Sequence, residues 1–273
     1  MSSIRLFRRF AAIGVVALFV SLVGCANLPS APSAEVRAAL APTGTFRLAL
    51  YHFNPVQVSK GAQTGNYEGL AIDLGRALAN RLEVPFAAVP FTDLAKMSAC
   101  VAGGECDAMV IATDAAIAKD FALTSAFVEL DNSYLVAANS PIRTASDVDR
   151  SGTRIAVYTG SAVHLSLKEK LKQAELRTTV RGAERVEWLR SGQVDALADG
   201  VHVLQVLFMP QVSGSRIVDG SFSTTTYVLG VTPDRRVGGA FLTRAVEELK
   251  RSGQISESIS RWSLNARVPS PRP

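Results

Sequence analysis

Aromatic residues are scarce in this chain, at 7%, and only three histidines and three cysteines occur in 273 residues. Charged residues reach only 19% against 48% hydrophobic, a balance that excludes a disordered chain. The apolar run from Phe10 to Gly24 falls short of the roughly 20 residues of a membrane span, and the composition excludes a polytopic membrane protein. His52, His164 and His202 lie in three separate segments, and no zinc spacing, P-loop or nucleophile elbow occurs. No metal or cofactor is therefore expected. Acid is missing from residues 1–24, which carry Arg5, Arg8 and Arg9. Without them the formal charge of +5 falls to 26 basic against 24 acidic residues. A basic face for nucleic acid is not implied, and nucleic acid is not an expected partner.

What is present at the start reads as an address. Three arginines precede the apolar run, which ends Leu22-Val23-Gly24-Cys25. The length suits a signal-peptide core, and the last four residues resemble a bacterial lipobox, in which the cysteine is diacylated. Cys25 is accordingly the expected lipidation site, tethering the protein to a lipid bilayer on the periplasmic side of the cell envelope. The alternative is an uncleaved anchor with Cys25 as a buried thiol. Residues 26–43 hold three prolines and many small side chains and read as a tether. The tail ending VPSPRP reads as unfolded. Cys100 and Cys106 flank a Gly103-Gly104 stop. They either pair as a disulfide outside the cytoplasm or pack as small buried hydrophobes.

From Gly44 onward, apolar strands alternate with amphipathic helices. FRLALY (46–51), PFAAVPF (85–91), DAMVIA (107–112) and RIAVYT (154–159) read as strands. Leu70, Leu74, Leu78 and Leu82 recur at helical spacing, and so do Val163, Leu167, Leu171 and Ala174. A helix near 183–191 leads to the strand DALAD (195–199). SYLVAAN (133–139) and TTYVLGVT (225–232) lack helical partners and suit connections between two lobes. The alternation predicts an α/β fold with mostly parallel sheets covered on both faces.

Several motifs in fixed order carry a resemblance. They are Gly44-Thr45-Phe46-Arg47, Gly69 to Leu74, Gly104-Glu105-Cys106-Asp107-Ala108, Tyr158-Thr159-Gly160-Ser161, Gly192-Gln193-Val194-Asp195-Ala196 and the ending Leu249–Trp262. From Gly44 to Trp262 the chain resembles bacterial extracellular solute-binding proteins of family 3, the polar amino-acid type of ABC-transporter receptor. The resemblance implies two doubly wound α/β lobes joined by two crossing strands. Lobe 1 would comprise residues 44–132 and 228–263, lobe 2 residues 133–227, with 1–24 a signal peptide, 25–43 a tether and 264–273 a disordered tail. It further implies a monomer that binds a small-molecule solute between its lobes and partners an ABC permease.

Carried over residue by residue, the resemblance marks Tyr51, Phe53, Thr113, Asp114, Gly160, Ser161 and Asp199 as ligand-binding candidates. Phe53 would stack on the solute or pack its loop. Gly160 and Ser161 would offer N–H and hydroxyl groups to an anion or simply cap a helix. Two departures stand out. The arginine that clamps a substrate carboxylate is missing at Ala116 and Ile117, and Lys119 comes too late to replace it. The acid for a substrate ammonium falls at Gly200, with Asp199 one residue early. A standard α-amino acid is thus not the expected ligand. The leading expectation is a non-enzymatic receptor. A periplasmic dehydratase or lyase using Asp114, Asp199 and His164 is one alternative, and a ligand-sensing or assembly protein without transport is another.

Overall fold

The computed structural model describes residues 31–52, 54, 57–60 and 66–272. The chain opens with α1 (Ala34–Leu40), capped by the Ser33 hydroxyl, which accepts from the Val36 N–H. Strand β1 (Phe46–Tyr51) and the hairpin β2 (Ser59–Lys60) and β3 (Tyr67–Glu68) precede α2 (Leu70–Leu82), whose leucine stripe is buried. Next come β4 (Phe86–Phe91), α3 (Leu94–Ala102), β5 (Ala108–Ala112), β6 (Ala122–Leu123) and the long β7 (Val128–Val136). The second wing holds β8 (Arg154–Tyr158), α4 (Ala162–Lys170), β9 (Glu175–Thr179), α5 (Gly182–Arg190) and β10 (Ala196–Gly200). It continues into α6 (Val201–Val203), extended by a π turn over Leu204–Phe208, and β11 (Arg216–Ile217). The chain returns through β12 (Ser223–Val231) to α7 (Arg236–Arg251) and α8 (Gln254–Arg261).

Among the described residues the main sheet runs β4-β1-β5-β12-β7-β10-β8-β9. Its two ends repeat one plan. β1 lies parallel between β4 and β5, and β8 lies parallel between β9 and β10. β12 and β7 close each triplet antiparallel and pair with each other in the middle, from Ser223 opposite Asn132 to Tyr227 opposite Val128. The fold is therefore the expected one, two α/β lobes joined by two crossing strands.

The plan repeats down to single atoms. The Arg47 backbone N–H and Nε donate to Asp107 Oδ2, and its Nη2 donates to Asp107 Oδ1 and the Gly104 carbonyl. Arg154 makes the same set of bonds to Asp195 and the Gly192 carbonyl. Each arginine opens the central strand of its triplet, and each aspartate opens the third strand. A Gly-x-x-Asp turn therefore locks the return from helix to strand by pinning it to the strand beside it. Apolar burial supplies the bulk of the stabilisation: Phe46, Leu48, Leu50, Leu78 and Leu82 are wholly shielded, each contributing about 1.5–3 kcal/mol.

Three segments differ from the sequence reading. Residues 34–40, expected within a tether, form α1 because Val36 and Leu40 bury one face, with Leu40 packed where Gly238 leaves room on α7. The tail expected to be disordered is ordered through residue 272. Arg267 pairs its backbone with Glu129 and clamps Asp131 with Nη1 and Nη2, while Leu264 is buried. Helix α4 stops at Lys170 rather than continuing to Ala174, because the Asp149 carboxylate takes the N–H groups of Lys172, Gln173 and Ala174. Cys100 of α3 and Cys106, just ahead of β5, form a disulfide. Among the described residues no helix is long and apolar enough to cross a membrane, and no cluster of metal-ligating side chains occurs.

Candidate functional site

The strands of both triplets point their carboxyl ends toward the line where the lobes meet, and there lies a cavity of about 130 Å³. Lobe 1 contributes Tyr51 from the end of β1, Met97 from α3 and Ile111 from β5. Lobe 2 contributes Tyr158 from the end of β8, Arg185 from α5, and Phe208 from the turn after α6. The crossing strands add Asn132 and Tyr227. The lobes touch across it: the Tyr51 and Tyr158 rings meet edge to face at 5.8 Å, and Ala162 of α4 packs into the apolar cluster of lobe 1.

The polar groups fall into two kinds. The first are phenols held neutral. Burial, then a hydrogen bond to Tyr158, raises the Tyr51 phenol above its ordinary range. Burial, and secondarily the charge of Asp199, does the same for Tyr227, whose oxygen accepts from Asn54 Nδ2 at 2.7 Å. His202, buried at the start of α6, is pushed below the usual imidazole range by desolvation and is neutral at pH 7.

The second kind is an ion pair. Arg185 is 4% exposed, and its Nη1 donates to Asp199 Oδ2 at 2.9 Å. The guanidinium carbon sits 4.7 Å from the Phe208 ring centre and 5.7 Å from that of Tyr158, within cation–π range of both. Asp199 Oδ1 accepts from the Gly200 N–H. Two atoms of this wall have no hydrogen-bond partner among the described residues: Arg185 Nε, a donor, and Asn132 Oδ1, an acceptor. The Asn132 Nδ2 group is committed to Ser223 and Thr225.

The structure thus brings Tyr51, Ser161 and Asp199 together on the cavity wall. Gly160, Thr113 and Asp114 are not on that wall. The Gly160 N–H donates to His164 Nδ1 at 3.1 Å, so it is spoken for. Ser161 caps α4, accepting from the His164 N–H and donating to the Tyr158 carbonyl. The Thr113 N–H donates to the Thr226 carbonyl. Desolvation raises the Asp114 carboxyl, and Glu169 of α4 adds repulsion. Phe53 and Cys25 lie outside the described residues.

Arg185, Asn132, Tyr158, Phe208 and Tyr227 were not picked out from the sequence. For Arg185 a signal existed: with Trp188 and Leu189 it shares the buried stripe of α5 at spacings of three and four. A charge on such a stripe needs a partner, and Asp199 provides it.

Comparison with known proteins agrees with this architecture. The chain is 20% identical over 207 residues to the ABC transporter glutamine-binding protein GlnH of Bacillus subtilis (strain 168), covering 74% of this chain and 75% of that protein. A mutant of ArgBP from T. maritima superposes with a TM-score of 0.70 at 18% identity, covering 84% of this chain and 99% of the other. The ancestral amino acid-binding protein AncCDT-1, a precursor of cyclohexadienyl dehydratase, gives 0.69 at 21% identity with the same coverages. A histidine kinase sensor domain similar to periplasmic binding proteins gives 0.69 at 18%, covering 82% and 98%. These likenesses establish the fold. Residues 49–265 match the family described as bacterial extracellular solute-binding proteins, family 3, and the chain belongs to that family.

Proposed function

We propose that this protein is a non-enzymatic receptor that captures a small solute, other than a standard α-amino acid, between its lobes and delivers it to an ABC permease. The observation that carries the reading is the cavity itself, walled by both lobes and the crossing strands. A solute held there touches both lobes, so binding favours the closed arrangement, and closure is a state a permease can distinguish. The departure from amino acids rests on two facts. Ala116 and Ile117 stand where the resemblance expects a carboxylate-clamping arginine, and Asp199 is engaged by Arg185 rather than open to an ammonium.

Catalysis would need convergent acids and bases. Asp114 and His164 are not on the cavity wall, and Asp199 is ion-paired, so the geometry favours binding over turnover. Acylation of Cys25 would hold the receptor at a membrane on the periplasmic side, as the Leu-Val-Gly-Cys spelling suggests.

A thermal-shift screen of the full chain in detergent, against amino acids, amines, organic acids, sugars and uncharged solutes, tests this. A ligand at about 100 times its dissociation constant adds roughly 2.7 kcal/mol of stability. A hit outside the α-amino acids is the expected result. A best hit among ordinary α-amino acids overturns the ligand assignment, and steady conversion of the hit to product overturns the receptor reading.

A further inference from the structure

Resting on that reading, we infer that the solute is uncharged: an apolar body bearing an amide or lactam group, whose carbonyl accepts from Arg185 Nε and whose N–H donates to Asn132 Oδ1. The argument begins with charge. Among the described residues the charged groups on the cavity wall are Arg185 and Asp199, and they are bonded to each other at 2.9 Å. Their charges cancel, and His202 adds none.

A solute carrying a single charge of either sign would add an unbalanced charge to a wall on which Arg185 and Asp199 already neutralise each other. A zwitterion could be neutralised only by breaking the Arg185–Asp199 bond, and it carries the desolvation cost of two further charges into an apolar pocket. An uncharged solute leaves the pair intact.

Hydrogen-bond accounting then narrows the class. Buried polar groups without partners are rare in folded proteins, and one on the wall of a cavity is available to a bound group. Among the described residues, the buried atoms without a hydrogen-bond partner include a donor and an acceptor on two side chains of this wall, Arg185 Nε and Asn132 Oδ1, which are 4% and 2% exposed. The two belong to different elements, α5 and β7, so no rotation of one side chain satisfies both. A group offering one acceptor and one donor matches them, and an amide does so without a net charge. The remaining wall, with Met97, Ile111, Val163, Leu207 and the Tyr51 and Phe208 rings, rewards an aliphatic or aromatic body.

The test uses matched solutes that share a carbon skeleton: hexanamide, hexanoate and hexylamine; phenylacetamide, phenylacetate and phenethylamine; caprolactam and its open zwitterion. Calorimetric titration of the full chain in detergent should show the amide or lactam binding at least about tenfold more tightly than any charged member. Asp199→Asn leaves Arg185 without its counter-charge and should move the acid-to-amide ratio at least about tenfold toward the acid. Arg185→Gln should move the ratio toward the amine. Each variant is judged only if its circular dichroism matches the parent, and either one is sufficient. A charged solute or a free amino acid binding as tightly as the uncharged members overturns this inference and leaves the receptor reading in place. Ratios unmoved by the variants overturn the charge argument. An absence of binding across this set and the broader screen overturns the receptor reading and the inference with it.

Discussion

The duplicated Arg–Asp lock offers a test in which one molecule contains its own control. Asp107 and Asp195 accept the same bonds from Arg47 and Arg154, yet their surroundings differ. The Asp107 side chain is 0% exposed and also receives Arg235 Nη1 at 3.2 Å, whereas Asp195 and Arg154 are 36% and 40% exposed. Asp107→Ala strands two arginines that are mostly withdrawn from water, and losing one partner of a buried pair costs about 3–5 kcal/mol. At Asp195 solvent screens the loss: the ion pair is worth at most about 1 kcal/mol and the bond from the Arg154 backbone about 1 more. For a domain of this size about 2–4 °C of melting temperature goes with each kcal/mol. Asp107→Ala should therefore lower the midpoint by roughly 10 °C and Asp195→Ala by roughly 4 °C.

Thermal melts of the full chain followed by circular dichroism, with urea titrations beside them, read both values. Equal losses at the two positions would refute the claim that burial, rather than the bond count, sets the worth of the lock. The pH dependence supplies a cross-check. Desolvation pushes the Asp195 carboxyl up, but the Arg154 bonds outweigh it and hold the group below the ordinary carboxylate range. Its contribution is therefore complete above about pH 4 and lost only as pH falls through the depressed value. Asp195→Ala should consequently lower the midpoint at pH 7 and make progressively less difference as pH falls below about 4.

Gly75 of α2 faces Phe86, and a Cβ there would lie 2.3 Å from the ring, so Gly75→Ala should cost about 1–3 kcal/mol in urea unfolding. The loss should be relieved in part by Phe86→Leu. Burial lowers the pKa of His164 and His202, so below about pH 6.5 the unfolded chain takes up protons that the folded chain refuses. Stability should fall between pH 7 and pH 5, and His202→Asn should flatten the slope; an unchanged slope removes His202 from the account. Reducing the Cys100–Cys106 bridge frees a short loop and should cost about 2 kcal/mol by chain entropy, read as a lower melting temperature with reductant. Mass spectrometry of protein made in a bacterial host should show acylated Cys25 as the mature N-terminus, and a mature chain starting elsewhere rejects the lipobox.

Local regularity is what the sequence shows best. The α2 stripe from Leu70 to Leu82 and the strands at 46–51 and 154–158 are legible because a period of 3.6 or an apolar run is a property of the segment itself. The misses depend on distant partners. Residues 34–40 look like a tether, and only the notch left by Gly238, some two hundred residues away, makes Leu40 worth burying. The tail reads as unfolded until Asp131 and Glu129 on β7 are in place to receive Arg267. The end of α4 is set by Asp149, which lies ahead of β8 and outbids the helix for three amides.

The candidate site shows the same asymmetry. Position-by-position comparison with a family reports a departure at a residue's usual place, as at Ala116 and Ile117. It does not detect a charge supplied from another element, because nothing in the local motif reports which side chain the fold will bring against it. Arg185 comes from α5 and pairs with Asp199 at the end of β10, a contact between elements that neither segment announces. The double variant Arg185→Met, Asp199→Leu removes both charges of the pair and should retain more stability in urea unfolding than Arg185→Met alone, which leaves the carboxylate without its partner.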